Sequence, residues 1–218
     1  MNHKDIDKII SILKKEVQHF FTPIVTEYAN ETADPFKVLI SCLLSLRTKD
    51  EVTAVASRRL FKLADNPEDM AKLTEPQIQK VIYPVGFYVT KAKRIKEICQ
   101  TLIAEYDSRV PDDLDELLKL RGVGRKTANL VITLGYGKDG ICVDTHVHRI
   151  SNRLGFIQTK TPEQSEFALR KELPKKHWLV YNDLLVSYGQ NVCKPVSPLC
   201  SQCKIAEYCD RVGVTRSR

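Results

Sequence analysis

The sequence has 218 residues, of which 43% are hydrophobic and 28% charged, and its formal net charge is +7 at pH 7. These proportions exclude a disordered or low-complexity chain and allow one large domain or two small ones. The basic excess favours a polyanionic partner such as nucleic acid, although an anionic membrane surface or solubility alone would explain it equally well.

The first segment, residues 1–17, carries charges every few residues and has no apolar stretch long enough for a signal peptide or a membrane span. We therefore expect an intracellular protein, in the cytoplasm or nucleoid of a prokaryote, with no membrane partner. Disulfides are rare in that compartment, so the seven cysteines need other roles. Cys42, Cys99 and Cys142 lie singly in apolar surroundings and are predicted to fill the core.

Helical periodicity is the main structural signal along the chain. Apolar residues recur on one helix face in residues 6–17 and again in residues 92–102. Helix starts are marked by Asp34-Pro35 and by Thr161-Pro162, and Gln164 completes a capping box at the second start. The alternation typical of strands is absent. The sequence predicts an all-α protein of about ten helices.

A glycine pair interrupts the helical pattern in the segment ELLKLRGVGRKTANL. Gly122 and Gly124 enclose Val123, which we expect to point inward and hold a tight hairpin. The next helix is predicted to begin near Arg125 and to carry Lys126 in its first turn, where backbone amides and the helix dipole favour a phosphate. A plain turn between helices remains an alternative.

Glycines in residues 135–140 mark the strongest break in the chain. We place one helical lobe at residues 28–138 and a second at residues 1–27 and 139–218, with a catalytic cleft between them. Asp144 follows this break and precedes a helical pattern. The pattern alone favours a helix N-cap at Asp144, worth about 1 kcal/mol.

Four cysteines crowd a short segment near the C-terminus with the spacing C-x6-C-x2-C-x5-C. They are Cys193, Cys200, Cys203 and Cys209. Such density is hard to explain as core filling. Four thiolates hold either zinc or an iron-sulfur cluster, and the spacing alone leaves both metals open.

The strings LRGVGRKTAN and VDTHVHRISNRLG together closely resemble the endonuclease III family of DNA glycosylases, and the resemblance covers nearly the whole chain. It implies a helix-hairpin-helix fold in which Lys126 and Asp144 are catalytic. Adenine-mismatch relatives carry another residue at the lysine position. The resemblance therefore implies a bifunctional DNA glycosylase and AP lyase.

This resemblance also implies the substrate and the cofactor. The expected partner is double-stranded DNA with oxidised or ring-saturated pyrimidines or abasic sites, bound by a monomer. Base removal would pass through a Schiff base on the lysine, and β-elimination would cut the strand. The cysteine cluster would hold a structural 4Fe-4S cluster, although its first loop has only Lys194 where relatives often have several basic residues.

Further DNA contacts are implied by the family pattern. Phe87 matches the apolar wedge that enters the space left by a flipped base, with simple burial beside Tyr88 as the alternative. Arg47 stands where relatives often have a glutamine opposite the widowed base. Lys91 and Arg94 share a helix face that would meet phosphates.

Two other functions compete with this interpretation. One is a mismatch-specific or lyase-only relative on the same fold, and the other is a noncatalytic DNA-binding or redox iron-sulfur protein. Lys126 argues against the second. Asp50 is predicted as an N-cap without a catalytic part.

Overall fold

The structure, a computed structural model, describes residues 3–20 and 34–218. These residues contain no β-strand, so the predicted all-α class is confirmed for them. Eleven α-helices are present in the described ranges: α1 (Ile6–Val17), α2 (Pro35–Ser45), α3 (Asp50–Leu63), α4 (Pro67–Lys72), α5 (Glu75–Ile82), α6 (Tyr88–Glu105), α7 (Leu114–Lys119), α8 (Arg125–Leu130), α9 (Thr145–Leu154), α10 (Pro162–Glu172) and α11 (Trp178–Asn191).

The chain divides into two compact units. One combines Met1–Pro23 with Asp139–Arg218, and the other is continuous from Ile24 to Lys138. The lobe boundary predicted between residues 27 and 28 lies outside the described residues. The predicted catalytic cleft stays a prediction.

In the continuous unit the central helix is α2, which is apolar on all sides. Phe36 and every residue from Val38 to Leu44 are buried. Such a helix has no face for solvent, so its neighbours α3, α6 and α8 surround it. Chain beyond α8 forms one π-helical turn, Val131–Gly135, which also packs against α2.

The discontinuous unit is built around α11. Both α1 and α9 pack against this helix, and α10 packs against α9. Large aromatic residues of α11, Tyr181 and Tyr188, are almost fully buried. Asp7 of α1 accepts hydrogen bonds from His177, at 2.5 Å, and from Lys176, at 2.7 Å. The first helix is thereby fixed to the segment that leads into α11.

Several local predictions can be compared with the helix ends. Asp34 caps α2 by accepting a hydrogen bond from the Phe36 amide at 2.9 Å. Thr161 caps α10, but Gln164 accepts from the Lys160 amide, one residue before the expected partner of a capping box. The N-cap predicted at Asp50 is wrong, because Lys49 occupies the N-cap position of α3, without a side-chain capping bond, and Asp50 is the first residue of the helix. In that place its carboxylate faces the positive end of the helix dipole.

Cys42, Cys99 and Cys142 are buried, as predicted, and none of the seven cysteines, all of which lie in the described ranges, forms a disulfide. Within the described ranges, none of the helices has the length and apolar character that crossing a membrane requires.

Candidate functional site

The predicted hairpin joins α7 to α8. Val123 is only 6% exposed, and its amide donates to the Leu120 carbonyl at 3.0 Å, which closes the turn. Gly122 has φ +89°, a backbone angle that favours glycine. α8 begins at Arg125, as predicted. The inward valine, the sharp reversal and the helix start are thus all confirmed.

Close packing explains why glycine occupies position 122. A Cβ atom there would lie 2.8 Å from Cδ of Arg94, whereas one at Gly124 would meet no heavy atom within 4 Å among the described residues. Arg94 is also paired with Glu97 at 2.6 Å, and Glu97 contacts Arg121 at 3.4 Å. Gly124 therefore leaves open space beside the first turn of α8, where a phosphate could approach.

Lys126 is an exposed residue in the first turn of α8. Its positive charge acts on the thiol of Cys42 in the adjacent helix α2. Burial nevertheless raises the pKa of the Cys42 thiol to about 12. Because this thiol is neutral near pH 7, it offers no negative charge that would hold Lys126 in the ammonium form.

Arg47 and Phe87 meet, although they come from different loops. The Arg47 guanidinium lies 5.6 Å from the centre of the Phe87 ring, within the range of a cation–π contact. Phe87 is 62% exposed, which contradicts the alternative of simple burial. Both residues have left-handed backbones, with φ 54° and 58°, a conformation that costs of order 1–3 kcal/mol for each residue.

The phosphate contact expected of Lys91 needs correction. This side chain is 8% exposed, and its ammonium donates to the carbonyls of Leu44, at 2.8 Å, and Leu46, at 2.6 Å. A third hydrogen bond reaches the Thr48 hydroxyl at 3.2 Å. An ammonium has three N–H groups, so these contacts use all of its donors. Lys91 binds the protein's own backbone because α2 ends with carbonyls pointing at it.

A groove of about 360 Å³ lies next to these residues in the continuous unit. Arg47, Phe87, Lys91, Arg94 and Gly122 all contribute to its wall. Five of the residues that the sequence predicts to contact DNA therefore line one surface feature.

Asp144 caps α9. Its Oδ1 atom accepts hydrogen bonds from the amides of His146, at 2.8 Å, and Val147, at 2.9 Å. The role favoured by the sequence pattern alone is thus confirmed, and the carboxylate is held in a fixed orientation at the start of the helix. Lys126 belongs to the continuous unit and Asp144 to the discontinuous unit.

The four clustered cysteines line a single cavity in the discontinuous unit, with Arg153 and Val192 among its other walls. Yet no three His, Cys, Asp or Glu side chains of the described residues converge as ligands of one metal ion. A 4Fe-4S cluster is held by four cysteine thiolates, and these four thiols line one cavity, so the donor set fits such a cluster.

The thiols themselves show why a metal would matter. Burial raises the pKa of both Cys203 and Cys209. These side chains therefore stay protonated unless a metal stabilises their thiolate form. The Tyr188 hydroxyl donates to Cys203 Sγ at 3.3 Å and accepts from the Lys204 amide at 3.2 Å, which orients the ligand.

Arginines of α9, missed by the sequence reasoning, hold the cysteine segment in place. Arg153 donates to the carbonyls of Lys194 and Pro195, both at 2.7 Å, and Arg149 donates to the Cys193 carbonyl at 2.8 Å. The two arginines stand one helical turn apart. That spacing was visible in the sequence, but the carbonyls they bind were not.

Comparison with known proteins decides the family. Residues 40–175 match the HhH-GPD superfamily of base excision DNA repair proteins, and residues 193–209 match the iron-sulfur binding domain of endonuclease III. The chain is 49% identical over 181 residues to the endonuclease III of Thermotoga maritima, covering 83% of this chain and 85% of that protein.

The chain belongs to the endonuclease III family. Members of this family are DNA glycosylases with AP lyase activity, so the chain is an enzyme of base excision repair that binds DNA and carries a 4Fe-4S cluster. The Rickettsia conorii endonuclease III is 36% identical and matches 96% of this chain and 97% of its own. In contrast, the chain spans 47% of a chloroplastic endonuclease III homologue of Arabidopsis thaliana, at 45% identity.

Solved structures agree with this membership. A trapped covalent intermediate of an endonuclease III with DNA superposes with a TM-score of 0.85 at 32% identity, over 97% of both chains. A thermostable thymine-DNA glycosylase superposes with a TM-score of 0.75 at 25% identity, over 91% of this chain and 95% of its own.

Proposed function

We propose that this endonuclease III family member removes oxidised or ring-saturated pyrimidines from duplex DNA with Lys126 as the nucleophile. One observation carries the proposal: Lys126 is exposed in the first turn of α8, directly after the hairpin. Gly122, Val123, Gly124 and Arg125 would bind the phosphate backbone and bring the damaged nucleotide to this lysine. The family pattern supports the assignment, because relatives that only remove adenine lack the lysine.

The first step needs a neutral amine. An ordinary lysine has a pKa of about 10.4 and is almost entirely charged at neutral pH. A helix N-terminus contributes about 0.3–1 kcal/mol against the charge, which is less than one pKa unit. The neutral thiol of Cys42 adds no stabilisation of the ammonium. Exclusion of water by bound DNA would have to supply the remainder.

The neutral amine then forms a bond to the sugar carbon C1′ while the bond from C1′ to the base breaks. The base leaves with the bonding electron pair and takes up a proton, and the sugar ring opens to give an imine between C1′ and Lys126. This imine withdraws electrons, so a proton is lost from C2′. The electron pair of the broken C2′–H bond forms a double bond between C2′ and C3′, and the phosphate leaves C3′ as an anion. The strand is therefore cut by β-elimination, on the 3′ side of the abasic site.

We assign Asp144 to proton transfer and to stabilising positive charge on the sugar as the base departs. A carboxylate beside an ammonium would raise the ammonium pKa, so Asp144 would not serve to make Lys126 neutral. Its hydrogen bonds from the His146 and Val147 amides hold the carboxylate in one orientation. That fixed orientation suits a group which must act on a particular sugar atom.

Arg47 and Phe87 are proposed to enter the DNA stack at the damaged nucleotide. Extrusion of a base costs a few kcal/mol, and side chains that fill the vacated space offset this cost. The exposed Phe87 ring is suited to stacking, and Arg47 can stack and donate hydrogen bonds to the unpaired base opposite.

The 4Fe-4S cluster would be held by Cys193, Cys200, Cys203 and Cys209. It would fix the cysteine segment, since neither displacement of the base by an amine nor β-elimination requires electron transfer.

We further propose that the enzyme acts as a monomer on double-stranded DNA with damaged bases or abasic sites, in the cytoplasm or nucleoid of a prokaryote. The net charge of +7 favours this polyanionic substrate. Bacterial members of the family with matching length support the cellular setting.

Borohydride trapping tests the nucleophile. Borohydride reduces an imine between protein and DNA to a stable amine, so the wild-type protein should become covalently attached to a duplex containing an oxidised pyrimidine. Lys126→Gln should abolish both trapping and strand cutting while it retains DNA affinity. Lys119→Gln, which alters an exposed lysine in the first helix of the same hairpin, should leave all three unchanged.

The outcome also separates the competing functions. Unchanged nicking by Lys126→Gln would overturn the assignment of the nucleophile. Cutting of abasic sites without release of damaged bases would indicate a lyase-only or mismatch-specific relative. Failure of the wild-type protein to form any covalent complex would overturn the proposed imine on Lys126.

A further inference from the structure

Lys91 connects the end of α2 to the start of α6 in the continuous unit. Its ammonium is bound by two backbone carbonyls of residues 44 and 46 and by the hydroxyl of Thr48. Burial lowers the pKa of Lys91 to about 8, which shows that the surroundings disfavour the charge. The ammonium nevertheless donates to these acceptors, because the carbonyls at the C-terminus of a helix favour a cation.

Thr48 extends this contact to a second loop. Its hydroxyl accepts a hydrogen bond from the Gly86 amide at 3.1 Å, in addition to the one from Lys91. The two loops also touch through their backbones, because a Cβ atom at Gly86 would lie 2.7 Å from the Arg47 carbonyl oxygen. Lys91, which is buried, and Thr48, which is half-buried, therefore hold residues 46–48 against residues 84–87.

Each fastened loop presents one exposed side chain from a left-handed backbone. Arg47 follows Leu46, whose carbonyl Lys91 binds, and Phe87 follows Gly86, whose amide Thr48 binds. A residue other than glycine keeps this conformation only where neighbouring contacts hold it. The Arg47 guanidinium then lies over the Phe87 ring.

We propose that Lys91 is a positioning residue for base extrusion. Its hydrogen bonds hold the two loops in a fixed arrangement, so that Arg47 and Phe87 enter the DNA together as one rigid unit. The proposal rests on the function proposed above, because it concerns how the lesion is exposed to Lys126. Lys91 itself touches neither the DNA nor the reacting atoms. Its contribution is to fix the two probing side chains before the substrate binds, so that less of their freedom is lost on binding.

The central variant is Lys91→Met, which keeps an unbranched side chain of similar length and removes the three hydrogen bonds. Its rate of base removal from a paired lesion under single-turnover conditions should fall about tenfold to hundredfold, the range expected when binding groups are misplaced near a reacting centre. Thr48→Val should lower the rate in the same direction, since it removes the acceptor of the Gly86 amide. It provides a second test if Lys91→Met does not fold.

Lys96→Met is the matched control. Lys96 lies on the same helix, and its ammonium donates to the Leu73 carbonyl at 2.8 Å, away from both probing loops. This variant loses a part-buried hydrogen bond from a lysine to a backbone carbonyl and should keep the wild-type rate. Thermal unfolding and the visible absorbance of the cluster check that every variant is folded.

A double-mutant comparison distinguishes positioning from general structural support. In the background Arg47→Ala with Phe87→Ala, adding Lys91→Met should cause no further loss of rate, because the groups that it positions are already gone. A further tenfold loss in that background would overturn the proposal, as would a wild-type rate for Lys91→Met alone. If instead the wild-type protein fails to release damaged bases, the proposed function fails.

Discussion

Gly122 illustrates how one residue can meet a structural and a functional requirement together. Its φ of +89° and its close contact with the Arg94 side chain favour glycine, whereas Gly124 has an ordinary φ of −99° and open space around it. We propose that both glycines also face the phosphate that binds the hairpin. Replacing each in turn therefore separates folding from DNA binding.

We expect Gly122→Ala to lower the free energy of unfolding by about 1 kcal/mol or more, because alanine is strained at positive φ and its Cβ would displace Arg94. Gly124→Ala should leave stability nearly unchanged. Both variants should bind duplex DNA more weakly, since the added methyl group lies where the phosphate would approach. Urea unfolding and DNA titration measure the two effects, and equal stability losses in both variants would contradict this account.

At the residue scale, the sequence predicted backbone features better than side-chain environments. The inward orientation of Val123 followed from its place between two glycines, because a hairpin has only one interior side. The sequence assigns Lys91 to phosphate binding because it shares a helix face with Arg94. Its burial depends on carbonyls of residues 44 and 46, which come from a distant part of the sequence. No local pattern records that contact.

The helix α9 shows how an element combines two roles in one side chain. Asp144 caps its first turn, and we propose that the same carboxylate acts on the sugar. An N-cap needs only an oxygen acceptor, which asparagine also provides, whereas the proposed chemistry needs a carboxylate. These two requirements can therefore be separated by substitution.

Asp144→Asn should retain stability within a few tenths of a kcal/mol yet lose base removal by about hundredfold or more. Asp144→Ala should lose activity and also about 1 kcal/mol of stability, because the cap disappears. Thr161→Ala is the control, since it removes the cap of α10 at a similar cost in stability and should keep activity. Single-turnover excision and urea unfolding provide the data. Wild-type excision by Asp144→Asn would leave Asp144 with the capping role alone.

Helices were predictable as elements because their starts depend on neighbouring residues. Asp34 before Pro35 gave the cap of α2 correctly. The prediction at Asp50 was wrong by one residue, because Lys49 in an extended conformation already precedes the helix. The full capping box of Thr74 and Gln77 at the start of α5 was not predicted, although both residues fit the sequence pattern of a capping box. The π-helical turn after α8 depends on packing against α2 and has no local signal.

At the scale of the whole molecule, the discontinuous unit joins residues from both ends of the sequence. Asp7 of α1 accepts hydrogen bonds from Lys176 and His177. These bonds lower the pKa of Asp7 below its ordinary value of 3.8, and the bond from Lys176 has the larger effect. A carboxyl group with a lowered pKa in the folded state stabilises that state above its ordinary pKa. This stabilisation disappears as the pH falls through the folded-state value.

Asp7→Asn should therefore lower the urea midpoint near pH 7, and the difference from wild type should shrink as the pH falls below 3.8. Asp5→Asn is a suitable control, because Asp5 pairs with Lys8, at 3.2 Å and three residues away in the same part of the chain. Its midpoint should remain near that of the wild type throughout. A difference between Asp7→Asn and wild type that grows toward acid would contradict the expected direction.

The discontinuity also constrains synthesis on the ribosome. α1 buries Ile6, Ile9, Ile10 and Leu13, and the helix against which it packs, α11, is the last long helix of the chain. The continuous unit from Ile24 to Lys138 leaves the exit tunnel between them. We expect the continuous unit to fold first, while the apolar face of α1 is still exposed to solvent. During that interval the nascent chain offers an early binding site for chaperones, which closes only when translation reaches α11.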